Sequence, residues 1–538
     1  LVPKAPPPAY EKMPASSEKG GLPLPIPTKA PRPRRSHLQM FALFALIALI
    51  AIPLVWLASG DPGLLSRLDT LPFFSAPHTP HRAHRLQPPP SPYRPGFRRP
   101  GFRRPGWAPS RTDEVPPLGA EWHARCDALL TVPEGTHSAR LDKLANVLGG
   151  AVWIAEPGPS VEYFLGAFGS RAWGPSERPF LIAVHGETVT LLTPAFEEAR
   201  ARLITLPEDV AARVQWVAWA ESESPYKVLE DVLGRTDVVL DRAVRTFVAD
   251  GVRHHIHASD TIDMNTVPAA VAAIRERKDA REIGLLRCAN EATLHAIRRT
   301  RSRMHIGIRE SETRAILYEE MAATGLTDNS ALILFGPNAA LPHGSGTDRR
   351  LGEDEFALID AGGRWGGYVA DITRTFFLPD SQIPEAHQWV WEIVRAAQRA
   401  PTNLLRLIDI GEPVLFSWLD DRSRETVKKG MAALGVPPAR GSKPDYTVFT
   451  HRTGHGIGLE GHESPYVVQG DEGERQVLPG HTFTIEPGVY VPTDSDVGDA
   501  RIHGLGVRLE DTVVVVERED GRLGVEWLTG PVERWGDV

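Results

Sequence analysis

Cysteine is almost missing from this chain: 538 residues hold two, Cys126 and Cys288. That is too few for a disulfide framework; the two could pair in an oxidising lumen, but buried or free thiols are the expectation. No Asn-x-Ser/Thr triplet occurs, so glycosylation lends no support to a luminal placement. Positive charge is scarce over most of the length. Residues 1–112 carry 16 Lys/Arg against 4 Asp/Glu, net +12, whereas the remainder carries 44 against 64, net −20. An acidic body of that size argues against nucleic acid as the main partner.

Core-forming composition is lacking at the start. Residues 1–39 are rich in Pro, Lys and Arg, and 60–115 in Pro, Arg and His, including the tandem Pro95-Gly-Phe-Arg-Arg-Pro-Gly-Phe-Arg-Arg-Pro105. Both read as solvated, unpacked segments, the second as a stiff stalk. Between them Met40–Ala58 contains no charge. As a helix it extends about 28 Å, which predicts a membrane span over 40–59. Lys29, Arg32, Arg34 and Arg35 precede it and only Arg67 follows closely. The positive-inside rule then predicts a single-pass type II anchor with the body luminal or extracellular. The alternative is a signal peptide cleaved near Ala58-Ser-Gly60, giving a secreted protein.

Beyond residue 115 the pattern becomes that of folded domains. Residues 116–273 mix the helical Ala139–Leu148 with the strand-like runs Phe180–His185 and Thr188–Thr193, a hairpin around Gly186-Glu187. Residues 274–538 form a second domain. It holds five residues with metal-ligand chemistry: Asp360, Asp371, His455, Glu486 and Glu510. Four carboxylates and one imidazole make a poor structural zinc site and suit a pair of hard or borderline divalent ions such as Mn(II). Such a centre activates water and polarises a carbonyl, which points to a hydrolase.

Local context supports the set. Asp360 and Asp371 lie in two apolar runs flanking Gly362-Gly-Arg-Trp-Gly-Gly367, so a hairpin brings them together. His455 sits among glycines in Thr453-Gly-His-Gly-Ile-Gly458, and Glu486 ends the strand-like Thr482–Glu486 before Pro487-Gly488. Glu510 lies in Gly506–Val516, read as one strand. Period-2 alternation puts Arg508, Glu510 and Thr512 on one face, with Arg508 in reach of the site.

With these residues in place, Ile274–Val516 resembles the catalytic domain of the pita-bread metallopeptidases, a family that includes methionine aminopeptidase, prolidase, Xaa-Pro aminopeptidase and creatinase. The preceding domain resembles the creatinase/prolidase N-terminal domain, which methionine aminopeptidases generally lack. The resemblance implies an α+β chain whose catalytic half is opened by a junction helix through 273–286. Asp360 would hold one metal, His455 and Glu486 the other, and Asp371 and Glu510 would bridge them. It implies that His343 and His462 contact substrate and stabilise the tetrahedral intermediate, that Glu486 moves the proton, and that Tyr490 and Arg508 line the substrate pocket. The implied activity is hydrolysis of Xaa-Pro bonds in short proline-containing peptides by a hydroxide shared between two divalent ions. Mn(II) is the first choice, with Co(II) or Zn(II) as alternatives, in a homodimer. A relative without proline preference and a non-catalytic peptide-binding scaffold are the competing readings. Creatinase works without metal and lacks most of these ligands. A lyase branch carries an acidic residue where this chain has Ala361-Gly362-Gly363.

Overall fold

The computed structural model describes residues 115–538 apart from 259–267, 437–446, 497–498 and 536–537. A first sheet contains β1 (Val152–Ala155), β2 (Leu181–His185), β3 (Thr188–Pro194), β4 (Val214–Trp219) and β5 (Val238–Leu240), ordered β4-β3-β2-β1-β5. The expected hairpin is there, with His185 paired to Thr188 across Gly186-Glu187. The central strands β1 and β2 are buried on both faces, which explains their continuous apolar runs. The helix Thr136–Leu148 covers the predicted 139–148.

The second half is built from β6 (Thr327–Phe335), β7 (Ala357–Trp365), β8 (Tyr368–Val369) and β9 (Ile372–Phe376), with β6, β8 and β9 all antiparallel to β7. Gly366 and Gly367, both at positive φ, make the two-residue turn from β7 to β8. A further sheet orders β10 (Gly454–Gly456), β11 (Glu463–Val467), β12 (Thr482–Ile485), β15 (Asp511–Glu517) and β16 (Leu523–Trp527) as β11-β10-β12-β15-β16. A separate ribbon pairs β13 (Gly488–Val491) with β14 (Leu505–Arg508). The helices Ala280–Arg303, Glu385–Leu405 and Phe416–Ala433 pack against this β framework, burying residues such as Leu285, Trp391, Val394 and Val427.

Four expectations are corrected. The membrane span at 40–59 falls outside the described residues, as do both flanking tails up to residue 114. Among the described residues no helix is long and apolar enough to cross a membrane. The longest ones bury one face against the sheets and interleave charged residues on the other, and the type II placement is withdrawn. Cys126 and Cys288 are not free thiols but form a disulfide, because the helix Ala120–Ala128 lies against Ala280–Arg303. Trp122 and Arg125 both donate to Glu291 at the same contact. The helix expected through 273–286 is two helices, Ala269–Glu276 and Ala280–Arg303. Asp279 starts the second as an N-cap, its carboxylate accepting from Glu282 N and its own N–H donating to the Glu282 carboxylate, both at 2.9 Å. Finally, Gly506–Val516 is not one strand: β14 ends at Arg508 and β15 begins at Asp511 in another sheet.

Candidate metal centre

The break between β14 and β15 is what makes the site. The chain leaves the larger sheet after Ile485 to form the ribbon and re-enters it at Asp511, and Ile485 pairs with Asp511 while Gly488 pairs with Arg508. Glu486 and Glu510 sit at these two joints, side by side. Glu486 N donates to Thr453 O at 2.7 Å, and Glu510 N donates to Thr373 O at 3.0 Å, tying the joints to the His455 segment and to β9. Asp360 pairs with Thr373 across β7 and β9, so Asp371, two residues earlier, projects into the same space. His455 lies in β10 between β11 and β12. A Cβ on the preceding Gly454 would come within 1.9 Å of Thr484 O, so only glycine lets the strand sit there.

The structure thus brings all five predicted residues together. His455 Nε2 lies 3.4 Å from Glu486 Oε1, 3.6 Å from Asp371 Oδ2 and 3.9 Å from Glu510 Oε1. Its Nδ1 is 3.1 Å from Gly456 O, so that nitrogen carries the proton and Nε2 presents a lone pair to the carboxylates. Three overlapping groups have ligand atoms within 4.8 Å of one another: His455 with Glu486 and Glu510, Asp360 with Asp371 and Glu510, and Asp371 with His455 and His462. Glu510 Oε2 accepts from Thr373 Oγ1 at 2.7 Å, whereas Oε1 is buried with no hydrogen-bond partner. A buried carboxylate oxygen left bare among other carboxylates is costly unless a cation meets it. The donor set fits divalent ions.

Electrostatics describe the same strain. Burial, then the neighbouring Asp360 and Glu486, pushes the Asp371 carboxyl well above its usual range. Burial, then Asp371 and Glu486, does the same to Glu510. Glu486 is pushed up to about 7, chiefly by burial and also by Asp360, against the pull of Arg508. Arg508 is the main counter-charge, its guanidinium donating to Asp360 Oδ2 at 2.6 Å, Tyr490 OH at 2.9 Å and Thr373 Oγ1 at 3.0 Å. Its predicted reach into the site is therefore observed, although the alternation used to place it breaks at residue 509.

His462 lies at the rim, 62 % exposed, with Nε2 4.0 Å from Asp371 Oδ2. Its ring centroid is 4.0 Å from that of His455. Burial, then the positive Arg452, lowers its pKa, and His343 also acts in that direction. His343 is exposed on the loop after the 3-10 turn Gly336–Ala340, whose Pro342 O accepts from Arg508 at 3.2 Å. Tyr490 is buried, with its hydroxyl on Arg508 and on His451.

Sequence reasoning missed His451. Its Nδ1 is 2.7 Å from Arg452 O, its Nε2 is 2.8 Å from Tyr490 OH and burial drives its pKa down to about 3. The signal was present as a second histidine four residues before His455. Also missed was the buried pair behind it. Asp420 Oδ1 accepts from Thr453 N at 3.1 Å and Thr453 Oγ1 at 2.7 Å, while Arg424 donates to Asp420 Oδ2 at 2.7 Å and to Phe449 O at 2.9 Å.

Residues 284–517 match the model of metallopeptidase family M24. An uncharacterized peptidase of Schizosaccharomyces pombe is 32% identical over 372 residues, covering 67% of this chain and 74% of that protein. The chain belongs to metallopeptidase family M24. It is 28% identical over 393 residues to the Xaa-Pro dipeptidase of Pyrococcus furiosus, covering 71% of this chain and 97% of the relative. Among solved structures, the dipeptidase PepE of Mycobacterium ulcerans superposes with a TM-score of 0.59 at 25% identity, over 74% of this chain and 96% of that one. The mixed α/β body is the pita-bread fold of the M24 peptidases. This chain is accordingly a metallopeptidase whose family uses divalent metals.

Proposed function

We propose that this M24 peptidase is an exopeptidase that cleaves the Xaa-Pro bond of short peptides with two divalent cations, Mn(II) being the first choice. The observation that carries the reading is the convergence of His455 Nε2 and four carboxylates, with Glu510 Oε1 buried and unpartnered. Asp360, Asp371 and Glu510 would hold one ion, and His455, Glu486 and Glu510 the other, with Asp371 beside both. When bound, the pair supplies Lewis-acid polarisation of the carbonyl and lowers the pKa of water enough for attack near neutral pH.

The chain's own groups do the rest. Glu486 takes the proton of the attacking water and returns it to the leaving imino nitrogen. His462 and His343, at the open side, donate N–H groups to the developing oxyanion, and the lowered pKa of His462 keeps it a neutral donor. Arg508 fixes Asp360 and Tyr490 together, so ligand and pocket wall move as a unit. The Xaa-Pro preference is supported by the likeness to the Pyrococcus furiosus enzyme. Dipeptide cleavage without a proline preference is the second reading, favoured by the likeness to the dipeptidase PepE of Mycobacterium ulcerans.

The test is a panel of matched Xaa-Pro and Xaa-Ala dipeptides and tripeptides with the Mn(II)-loaded full chain. Selective cleavage before proline supports the proposal, and the preferred length separates dipeptidase from aminopeptidase action. Equal cleavage of Xaa-Ala peptides rejects the proline preference, and no cleavage of any peptide rejects the exopeptidase reading.

A further inference from the structure

The segment 275–278 runs from the end of the helix Ala269–Glu276 into the link to the helix Ala280–Arg303. Its side chains converge on the loop that carries His462. Arg275 Nη2 donates to Glu460 Oε2 at 3.0 Å and Glu463 Oε2 at 2.8 Å, and its Nη1 donates to Ser160 Oγ at 2.8 Å. Lys278 Nζ donates to Glu463 Oε1 at 2.5 Å. Glu276 accepts from Ser464 Oγ at 2.5 Å and from Arg475 Nη1 at 2.8 Å. Glu463 also accepts from Glu460 N at 3.3 Å, closing a short loop with His462 inside it.

The exposures are opposed. The Lys278 and Glu463 side chains are 1 % and 7 % exposed, whereas His462 is 62 % exposed. Packing on His455 therefore holds only part of the His462 side chain, and the backbone on either side helps set where the ring stands beside Asp371. A buried ion pair adds little net stability but admits few geometries, which is the property such a task needs. We infer that Glu463, clamped by Arg275 and Lys278, is a positioning residue that holds His462 over the site through the loop backbone. The helix junction is thereby part of the catalytic apparatus, and Ser160 extends the same contact to the first half of the chain. This rests on the proposed role of His462 in the peptidase reaction.

Glu463→Gln alone would strand Lys278 in a buried position, so the test uses K278M/E463Q, which removes both charges together. The full Mn(II)-loaded chain is assayed as wild type, K278M/E463Q, H462A and the triple variant, on whichever peptide of the panel the wild type cleaves best. We expect K278M/E463Q to lose about tenfold to a hundredfold in kcat, since small misplacements cost that much. KM, metal content and Tm should stay close to wild type. In the H462A background the same two substitutions should add no further loss, because their effect passes through His462. Full kcat in K278M/E463Q, or an equal further loss in the H462A background, overturns the inference. A fall in metal content or Tm that accounts for the lost activity overturns it as well. Proline selectivity of the wild type is scored separately, so failure of the proposed specificity is not mistaken for failure of this inference.

Discussion

The buried carboxylates make the metal-free protein sensitive to rising pH, and the effect can be worked through. Glu486 is raised from 4.5 to about 7 by folding, mainly through burial. A carboxyl raised in the folded state binds more protons there than when unfolded, so stability falls as pH rises from the unfolded value through the folded one. At about 1.4 kcal/mol per unit, Glu486 alone removes about 3 kcal/mol between pH 4.5 and 7. Asp371 and Glu510, also raised by burial and mutual repulsion, act in the same direction. His451 at about 3 and His481 at about 4 act oppositely, since their neutral forms are favoured on folding and stability is lost as pH falls below 6.5. Both histidines are shared by metal-free and metal-loaded protein, and their contribution largely cancels in the difference. The Tm gap between chelated and Mn(II)-saturated protein should therefore widen steadily from pH 5 to pH 8. Mn(II) binding at pH 6 should release about one proton from Glu486, with more from its neighbours. The measurement is calorimetry in buffers of differing ionisation enthalpy, beside thermal unfolding across the pH range. A constant Tm gap and no proton release would refute the reasoning.

Other outcomes follow from single contacts. Glu486→Gln should keep the fold and lower turnover by a factor on the order of 10² to 10⁴, by loss of the proton acceptor; near wild-type rates would show that Glu486 is not the base. Arg508→Lys keeps the charge but cannot span Asp360, Tyr490 and Thr373 together. We expect kcat/KM to fall roughly tenfold or more, and an unchanged value would remove Arg508 from the site. The Cys126–Cys288 disulfide closes 162 residues of chain. Reduction, or C126S/C288S, should lower the unfolding free energy by up to about 5 kcal/mol in the chain-entropy account, and an unchanged urea midpoint would show that the bond contributes nothing.

Much of the site was legible because each ligand lies in a frame that local rules can read. Asp360 and Asp371 needed only a hairpin with a Gly-Gly turn, Glu486 a strand end before Pro-Gly, and His455 a glycine-flanked strand. What stayed hidden depends on where the chain goes next. The step at Leu509–Glu510 leaves the apolar alternation of Gly506–Val516 intact, so the change of sheet carries no mark in the sequence. The reach of Arg508 was anticipated for a reason that the structure replaces. Asp420 and Arg424 look like an ordinary i,i+4 surface pair until the helix Phe416–Ala433 is buried against the Thr453 segment. The disulfide stood second to free thiols because cysteine spacing does not encode contact between two helices. The break at residues 277–279 was masked by good helix formers on both sides, although Asp279 followed by Glu282 is a capping-box signal.

The central claim is that these five residues form a two-cation peptidase centre. It is tested most directly by titrating the chelated full chain with Mn(II) while following peptide hydrolysis and bound metal together. The account predicts no turnover in the stripped protein, activity that rises with metal up to two ions per chain, and its loss on renewed chelation. Turnover that persists without metal, or two bound ions with no hydrolysis of any peptide in the panel, would contradict it.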